Sequence, residues 1–233
     1  MSDIVMHCEN LSKSYGKIQA LNNVNISLQS GKIIGLLGPN GSGKTTFIKI
    51  ANGLLVPNNG NITIDGFAVG TKTRECVSYL PDCVYLPAWF SVEDIVEFYA
   101  GFYRDFNKTK AYDMLDNLKI ERKTKFKTLS KGNKEKVQLC AVMSREARLY
   151  LLDEPMGGVD PATRDYILNT IITNYSENAS VIISTHLIAD VENVLDEVIF
   201  INGGEVILHD TVDDIRTKQN KSVDSLFREV FKC

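Results

Sequence analysis

Gly38-Pro39-Asn40-Gly41-Ser42-Gly43-Lys44-Thr45-Thr46 is the stretch on which the fold turns. It follows a continuous apolar run, residues 33–37, and opens onto Phe47, Ile48, Ala51 and Leu54, which recur at helical spacing. A buried strand, a glycine-rich turn and a helix in that order are the context a phosphate-binding loop requires. The glycines let the backbone approach phosphate oxygens. Successive N–H groups and the helix N-terminus supply positive partial charge, Lys44 is placed to meet the β- and γ-phosphates, and Thr45 to meet a magnesium ion.

Working outward, residues 77–80, 149–152 and 181–184 are further apolar runs, too continuous to have one wet face. They predict parallel strands buried on both sides, joined by helices. Leu149-Tyr150-Leu151-Leu152-Asp153-Glu154-Pro155 ends abruptly in two carboxylates, at the edge where open α/β sheets hold their ligands. Asp153 is then placed to hold Mg²⁺, directly or through water, and Glu154 to orient and polarise an attacking water. Residues 4–8, 24–28 and 62–64 are short and partly alternating, which predicts a small antiparallel layer. The run 198–201, then Asn202-Gly203-Gly204, then 205–208, predicts a closing hairpin, because Asn-Gly supplies the positive φ of a tight turn.

Between residues 84 and 140 the pattern turns helical. Ser91-Val92-Glu93-Asp94 has the form of a capping box, and Ile95, Phe98, Tyr99, Phe102, Tyr103 and Phe106 follow as an aromatic stripe. A second helix is expected after Thr109, with Ala111, Met114, Leu115 and Leu118 on one face. The expected organisation is one α/β domain over 1–233, its core at about 1–83 and 141–233 and a helical subdomain at about 84–140.

The composition excludes several classes. The chain has 233 residues, 44% of them hydrophobic, and 26 Lys and Arg against 29 Asp and Glu give a net charge of −3. That balance argues against broad binding to nucleic-acid backbones, which needs a basic face. No apolar run approaches the roughly 18–20 residues of a membrane span, and the N-terminal residues lack the basic and apolar segments of a secretory signal. The expected location is the cytosol. Cys8, Cys76, Cys83, Cys140 and Cys233 are scattered without a C-x-x-C pair, so reduced thiols are expected.

At this point the chain resembles the nucleotide-binding subunit of an ATP-binding-cassette (ABC) transporter over nearly all its length. Leu129-Ser130-Lys131-Gly132-Asn133 is similar to the family signature L-S-G-G-Q and lies, as there, between the phosphate loop and Asp153-Glu154. His186 follows the next strand, as the family's switch histidine does, Tyr15 falls where an aromatic stacks on adenine, and Asp160 falls at the dimer-contact aspartate. The resemblance implies an α/β P-loop NTPase fold with a mostly parallel central sheet, a small N-terminal antiparallel layer and an inserted helical subdomain. It implies ATP and Mg²⁺ as ligands. Two subunits, identical or siblings, would sandwich two nucleotides, with Ser130 and Gly132 of one facing the γ-phosphate held by the other. It also implies an integral membrane permease as partner, attachment to the cytoplasmic membrane face through it, and no nucleic acid. Ser130 has its own physical sense as the cap of a helix whose Val137, Cys140, Ala141 and Ser144 form a buried stripe.

Three departures stand out: Asp82 where most members carry a glutamine, and Lys131 and Asn133 within the signature. Asp82 adds a hard oxygen ligand for Mg²⁺. The combination looks similar to short ATPase subunits of Gram-positive exporters. The alternatives are a soluble ABC ATPase acting on ribosomes or DNA, and a nucleotide-dependent module that hydrolyses little. Nine of the 20 aromatics fall within residues 79–106. Most are expected in the subdomain core, with Tyr85, Trp89 and Phe90 left to line a groove for a permease helix. Residues 122–136 hold seven basic residues and one acid, read as a solvated face, with attraction of phosphate or anionic headgroups as the alternative. Val223, Leu226, Phe227, Val230 and Phe231 predict a terminal amphipathic helix docked on the core.

Overall fold

A computed structural model describes residues 4–176 and 178–231. Its centre is a six-stranded sheet made of β3 (Ile33–Leu37), β6 (Val77–Leu80), β7 (Leu149–Asp153), β8 (Ser180–Thr185), β9 (Glu197–Asn202) and β10 (Glu205–Thr211). Their spatial order is β10-β9-β3-β8-β7-β6. All neighbours pair in parallel except β10, which returns antiparallel on β9 through the Gly203-Gly204 turn. The central strands are buried along their whole length on both faces, which is why they read as unbroken apolar runs.

A second, antiparallel sheet holds β1 (Ile4–Tyr15), β2 (Ile18–Gln29), β4 (Asn59–Ile64) and β5 (Phe67–Ala68) in the order β2-β1-β4-β5. β1 and β2 are longer than the sequence pattern predicts, because bulges at several points shift the pairing and break the strict alternation that marks a strand. Between the two sheets lies an apolar layer that includes Val5, Leu11, Leu28, Ile34, Leu36, Phe47 and Ile48.

Helices cover the sheet: α1 (Lys44–Ala51), α2 (Thr71–Cys76), α3 (Val92–Phe102), α4 (Lys108–Asn117), α5 (Lys131–Met143), α6 (Pro161–Asn174), α7 (Ile188–Val191), α8 (Val212–Gln219) and α9 (Val223–Phe231). α1 ends at Ala51, so Leu54, expected on its buried face, lies beyond it and is 59% exposed. Ser91 caps α3 with the expected reciprocal box, its Oγ accepting from the Asp94 amide and its own amide donating to the Asp94 carboxylate. α3 stops at Phe102, and its aromatic stripe is split. Tyr99 is buried, whereas Phe98 and Phe102 face outward, because three apolar residues per two turns already fill the face toward α4 and α5. Leu86, Val92, Ile95 and Val96 join Val137, Cys140 and the inner face of the sheet in one continuous core. α5 runs through residue 141 to Met143, so the expected 140/141 boundary falls inside a helix.

The terminal helix is docked as expected: Val223, Leu226 and Phe227 are buried, and Phe227 meets Phe200 of β9 edge-on while Phe231 packs against it at a tilt. Val230 lies on the outer side. Cys8 and Cys140 are buried free thiols, Cys76 is half-buried and Cys83 exposed, while Cys233 lies outside the described residues. Among the described residues no helix is long and apolar enough to cross a membrane.

Candidate functional site

The strand order β3-β8-β7-β6 decides what meets at the carboxyl edge of the sheet. β3 delivers the loop 38–45, β8 delivers His186, β7 delivers Asp153 and Glu154, and β6 delivers Asp82. Residues more than 100 positions apart in sequence thus stand side by side.

The loop is shaped by close backbone approach. Gly43 takes φ +114 as the N-cap of α1, and a Cβ there would lie 2.5 Å from the Ala20 carbonyl oxygen. The β9–β10 turn buttresses it from the same side, since the Gly204 amide donates to the Ser42 carbonyl at 2.9 Å. With no side chain capping α1, the first amides of the helix remain aimed into the loop. Lys44 is buried and its ammonium donates to the carbonyls of Gly38 at 2.7 Å and Pro39 at 3.2 Å, with Glu154 Oε1 3.6 Å away. Burial lowers the Lys44 pKa, and the carboxylates of Glu154 and Asp153 work against that shift.

Asp153 is fully buried. Its Oδ1 accepts from the Ser184 hydroxyl at 2.6 Å and the Thr45 hydroxyl at 3.1 Å, while Oδ2 is buried with no hydrogen-bond partner. Burial is the main reason its pKa is raised, against the two hydroxyls that lower it. A buried, unpartnered carboxylate oxygen beside a threonine hydroxyl suits a hard divalent cation completed by phosphate and water oxygens. Asp82 is exposed and makes no direct bond to Asp153, but its charge also raises the Asp153 pKa.

Glu154 adopts φ +47, unusual for a residue with a side chain. Its amide donates to both the carbonyl and the hydroxyl of Ser184, at 3.1 and 3.0 Å, which holds the strained turn. The carboxylate is thereby aimed between Lys44 and His186, whose Nδ1 lies 2.9 Å from Glu154 Oε2. Ser184 is the residue that sequence reading passed over. Its signal was the pair of buried hydroxyls, Ser184 and Thr185, that closes the apolar run of β8.

The remaining expected residues lie further out. Tyr15 ends β1, is 46% exposed, and has the Lys13 ammonium 5.6 Å from its ring centroid. Ala20 and Leu21 of β2, which back the loop at Gly43, belong to the same β1–β2 hairpin as Tyr15. Ser130 caps α5, its Oγ accepting from the Asn133 amide at 3.3 Å. Asp160 caps α6, its carboxylate accepting from the Thr163 amide and hydroxyl at 3.0 and 2.8 Å. Gly132 lies against that cap, a Cβ on it falling 3.3 Å from Thr163 Oγ1. A cleft of about 200 Å³ separates the 82–84 loop, the start of α5 and the 154–157 turn. In the basic stretch, Arg122 pairs with Asp116, Lys125 with Asp94 and Lys131 with Glu135, as a solvated face would.

A family model described as ABC transporter matches residues 21–157, more than half of the chain. That span contains the 38–46 loop, the 129–133 segment and Asp153-Glu154, whereas Tyr15, Asp160 and His186 lie beyond it. The linearmycin resistance ATP-binding protein LnrL of Bacillus subtilis (strain 168) is 31% identical over 219 residues, covering 91% of this chain and 70% of that protein. The SkfA peptide export ATP-binding protein SkfE of the same organism is 33% identical over 209 residues, 87% of each. A solved ATP binding subunit of an ABC transporter superimposes with a TM-score of 0.86 at 28% identity, over 97% of this chain and 99% of that one. The chain belongs to the ABC transporter family, as its ATP-binding ATPase cassette.

Proposed function

We propose that this cassette hydrolyses ATP at the edge of the central sheet to drive a separate membrane permease, most simply an exporter. The observation that carries the reading is the convergence of Lys44, Asp153 and Glu154, with the unpartnered Asp153 oxygen beside the Thr45 hydroxyl. Gly38, Pro39, Asn40, Gly41, Ser42 and Gly43 would cradle the phosphates through backbone N–H groups, Thr46 extending the helix N-terminus behind them. Lys44 would meet the β- and γ-oxygens, and Tyr15 would stack on the base. Mg²⁺, held by Thr45 and Asp153 with Asp82 as an outer carboxylate, would neutralise charge on the β- and γ-phosphates. Glu154 would take the proton of the attacking water, with His186 fixing its orientation and sensing the γ-phosphate.

Among the described residues the Ser130–Gly132 turn contacts its own helix and the region of Gly158 and Thr163, not the 38–45 loop of its own chain. This supports a head-to-tail pair in which the turn, with Asp160, serves the nucleotide of a second chain, identical or sibling. All of residues 1–233 would form one catalytic unit, with 84–140 as its helical part, held on the cytoplasmic face of the membrane by the permease. The export direction rests on the similarity to SkfE, a peptide export ATP-binding protein.

The test is Glu154→Gln. Turnover is expected to fall by at least about 100-fold while Mg-ATP binding persists. In the native host, trapping this variant with Mg-ATP should recover a polytopic membrane protein from the membrane fraction. Recovery only with ribosomal or DNA-bound proteins, or turnover at the wild-type rate, would overturn the reading.

A further inference from the structure

Lys131 opens α5 with its side chain 64% exposed, yet its ammonium is not free in water. Nζ donates across 27 residues to the carbonyl of Gly158 at 3.1 Å, and Glu135 Oε1 lies 3.9 Å away. Gly158 is fitted to this contact: it takes φ +71, and a Cβ there would stand 2.5 Å from the Lys131 nitrogen. One residue along, Gly132 approaches Thr163 and Asp160 at the other end of the same loop. The 130–132 turn and the 157–160 loop therefore touch at two points, one of them a charged strap. Without that strap the loop is still pinned by the buried Val159, whose carbonyl accepts from Arg164 Nε at 3.3 Å, and by the Gly157 amide on the Glu154 carbonyl. Gly158 between them, however, loses its contact across to α5, and two adjacent glycines leave that part of the backbone wide freedom.

We propose that Lys131 is a positioning residue: it fastens the 157–160 loop to the start of α5, so that the two segments facing the second nucleotide dock as one preformed surface. The inference rests on the two-chain sandwich above. Preforming a docking surface strengthens association by removing the ordering cost from the binding step. It does not alter how one chain alone holds its nucleotide, because Lys131 makes no contact with the 38–45 loop of its own chain among the described residues. The effect should therefore separate dimerisation from binding.

The experiment compares Lys131→Ala and Lys131→Arg in the Glu154→Gln background. Lys131→Ala is expected to raise the Mg-ATP concentration for half-maximal dimerisation about tenfold by size-exclusion chromatography. Affinity of the dilute monomer for a fluorescent ATP analogue should stay within twofold. Lys131→Arg, which keeps a donor of similar reach, should recover most of the loss. Gly158→Ala keeps the charge but displaces the ammonium, so its effect should largely vanish in the Lys131→Ala background. Independently, hydrogen exchange at amides 157–160 of the monomer should quicken at least fivefold in Lys131→Ala. Unchanged dimerisation or unchanged exchange in Lys131→Ala overturns the proposal. If the Lys131 parent itself stays monomeric at saturating Mg-ATP, the two-chain reading fails, and exchange alone then decides whether the strap exists.

Discussion

Asp153 shows at the scale of one residue how a site is held at a cost to the fold. Its carboxylate is fully buried, two hydroxyls satisfy one oxygen, and the other oxygen has no partner. Burial raises its pKa above the ordinary value of 3.8, so the native state binds the proton more tightly than the unfolded chain. The sign follows: the stability this group adds is fully present below the unfolded pKa and is lost as pH rises through the raised native value. In the nucleotide-free protein the ionised form of Asp153 is therefore the costly one. Asp153→Asn keeps an oxygen for the Ser184 and Thr45 hydroxyls and removes the charge. It is expected to raise the melting temperature of the nucleotide-free protein by about 2–4 °C, equivalent to ~1 kcal/mol in a chain of this size. The advantage should be small near pH 4 and reach its full value above the native pKa, a dependence that urea titrations across pH would read. The same variant should lose the stabilisation by Mg-ATP, which at a concentration 100 times Kd is worth about 2.7 kcal/mol, or roughly 5–10 °C, in the parent. A variant that melts below the parent without nucleotide would remove this account.

At the scale of elements, Arg145 joins pieces that periodicity treats separately. It follows α5, is 2% exposed, and its guanidinium donates to the carbonyls of Val77 at 2.5 Å and Glu75 at 2.7 Å, where α2 gives way to β6. It also forks onto the Asp105 carboxylate at 2.9 and 3.1 Å and lies 3.8 Å from the Tyr103 ring centroid, in the connection between α3 and α4. One side chain thus links the helical block to the edge of the sheet. Nothing local in Ser144-Arg145-Glu146 marks its burial, because arginine is rarely buried without a partner and the partner lies 40 positions away. Arg145→Met, which fills the volume without donors, is expected to cost about 3–5 kcal/mol and to lower the melting temperature by roughly 6–20 °C. Arg145→Lys should rescue little of this, since an ammonium cannot serve the planar fork and the ring face together. Thermal denaturation of the two variants checks both statements. The elements whose defining signals are local were readable in advance: the apolar central strands, the Ser91 box, the Ser130 cap and the Asn-Gly hairpin. The bulged ends of β1 and β2 and the outward turn of Phe98 and Phe102 were not, because they depend on what packs across from them.

For the whole molecule the same division applies to the site. Lys44, Thr45, Asp153 and Glu154 were legible because a strand end and a glycine loop announce themselves within nine residues, whereas the Ser184 clamp and the Lys131 strap exist only once distant segments are folded together. The surface that would meet the permease lies between these cases. The sequence marks a dense aromatic region, but the structure selects its outward members: Trp89 at 71%, Phe102 at 72% and Phe98 at 50% exposure, with Phe90 half-buried among them. Their rings form a chain, Trp89 to Phe90 at 6.3 Å, Phe90 to Phe98 at 5.9 Å and Phe98 to Phe102 at 6.0 Å between centroids. Large apolar side chains left in water next to one another mark an interaction site, and aromatics supply most of the energy of such sites. These exposed rings carry little of the core, so Trp89→Ala with Phe98→Ala should leave the melting temperature within about 2 °C and the ATPase activity of the isolated subunit within twofold. Association with the permease should weaken by at least about 30-fold, the equivalent of 2 kcal/mol for a central pair of anchors. Recovery of the permease at parental levels by the double variant would detach the aromatic surface from the transport role, leaving the nucleotide site intact.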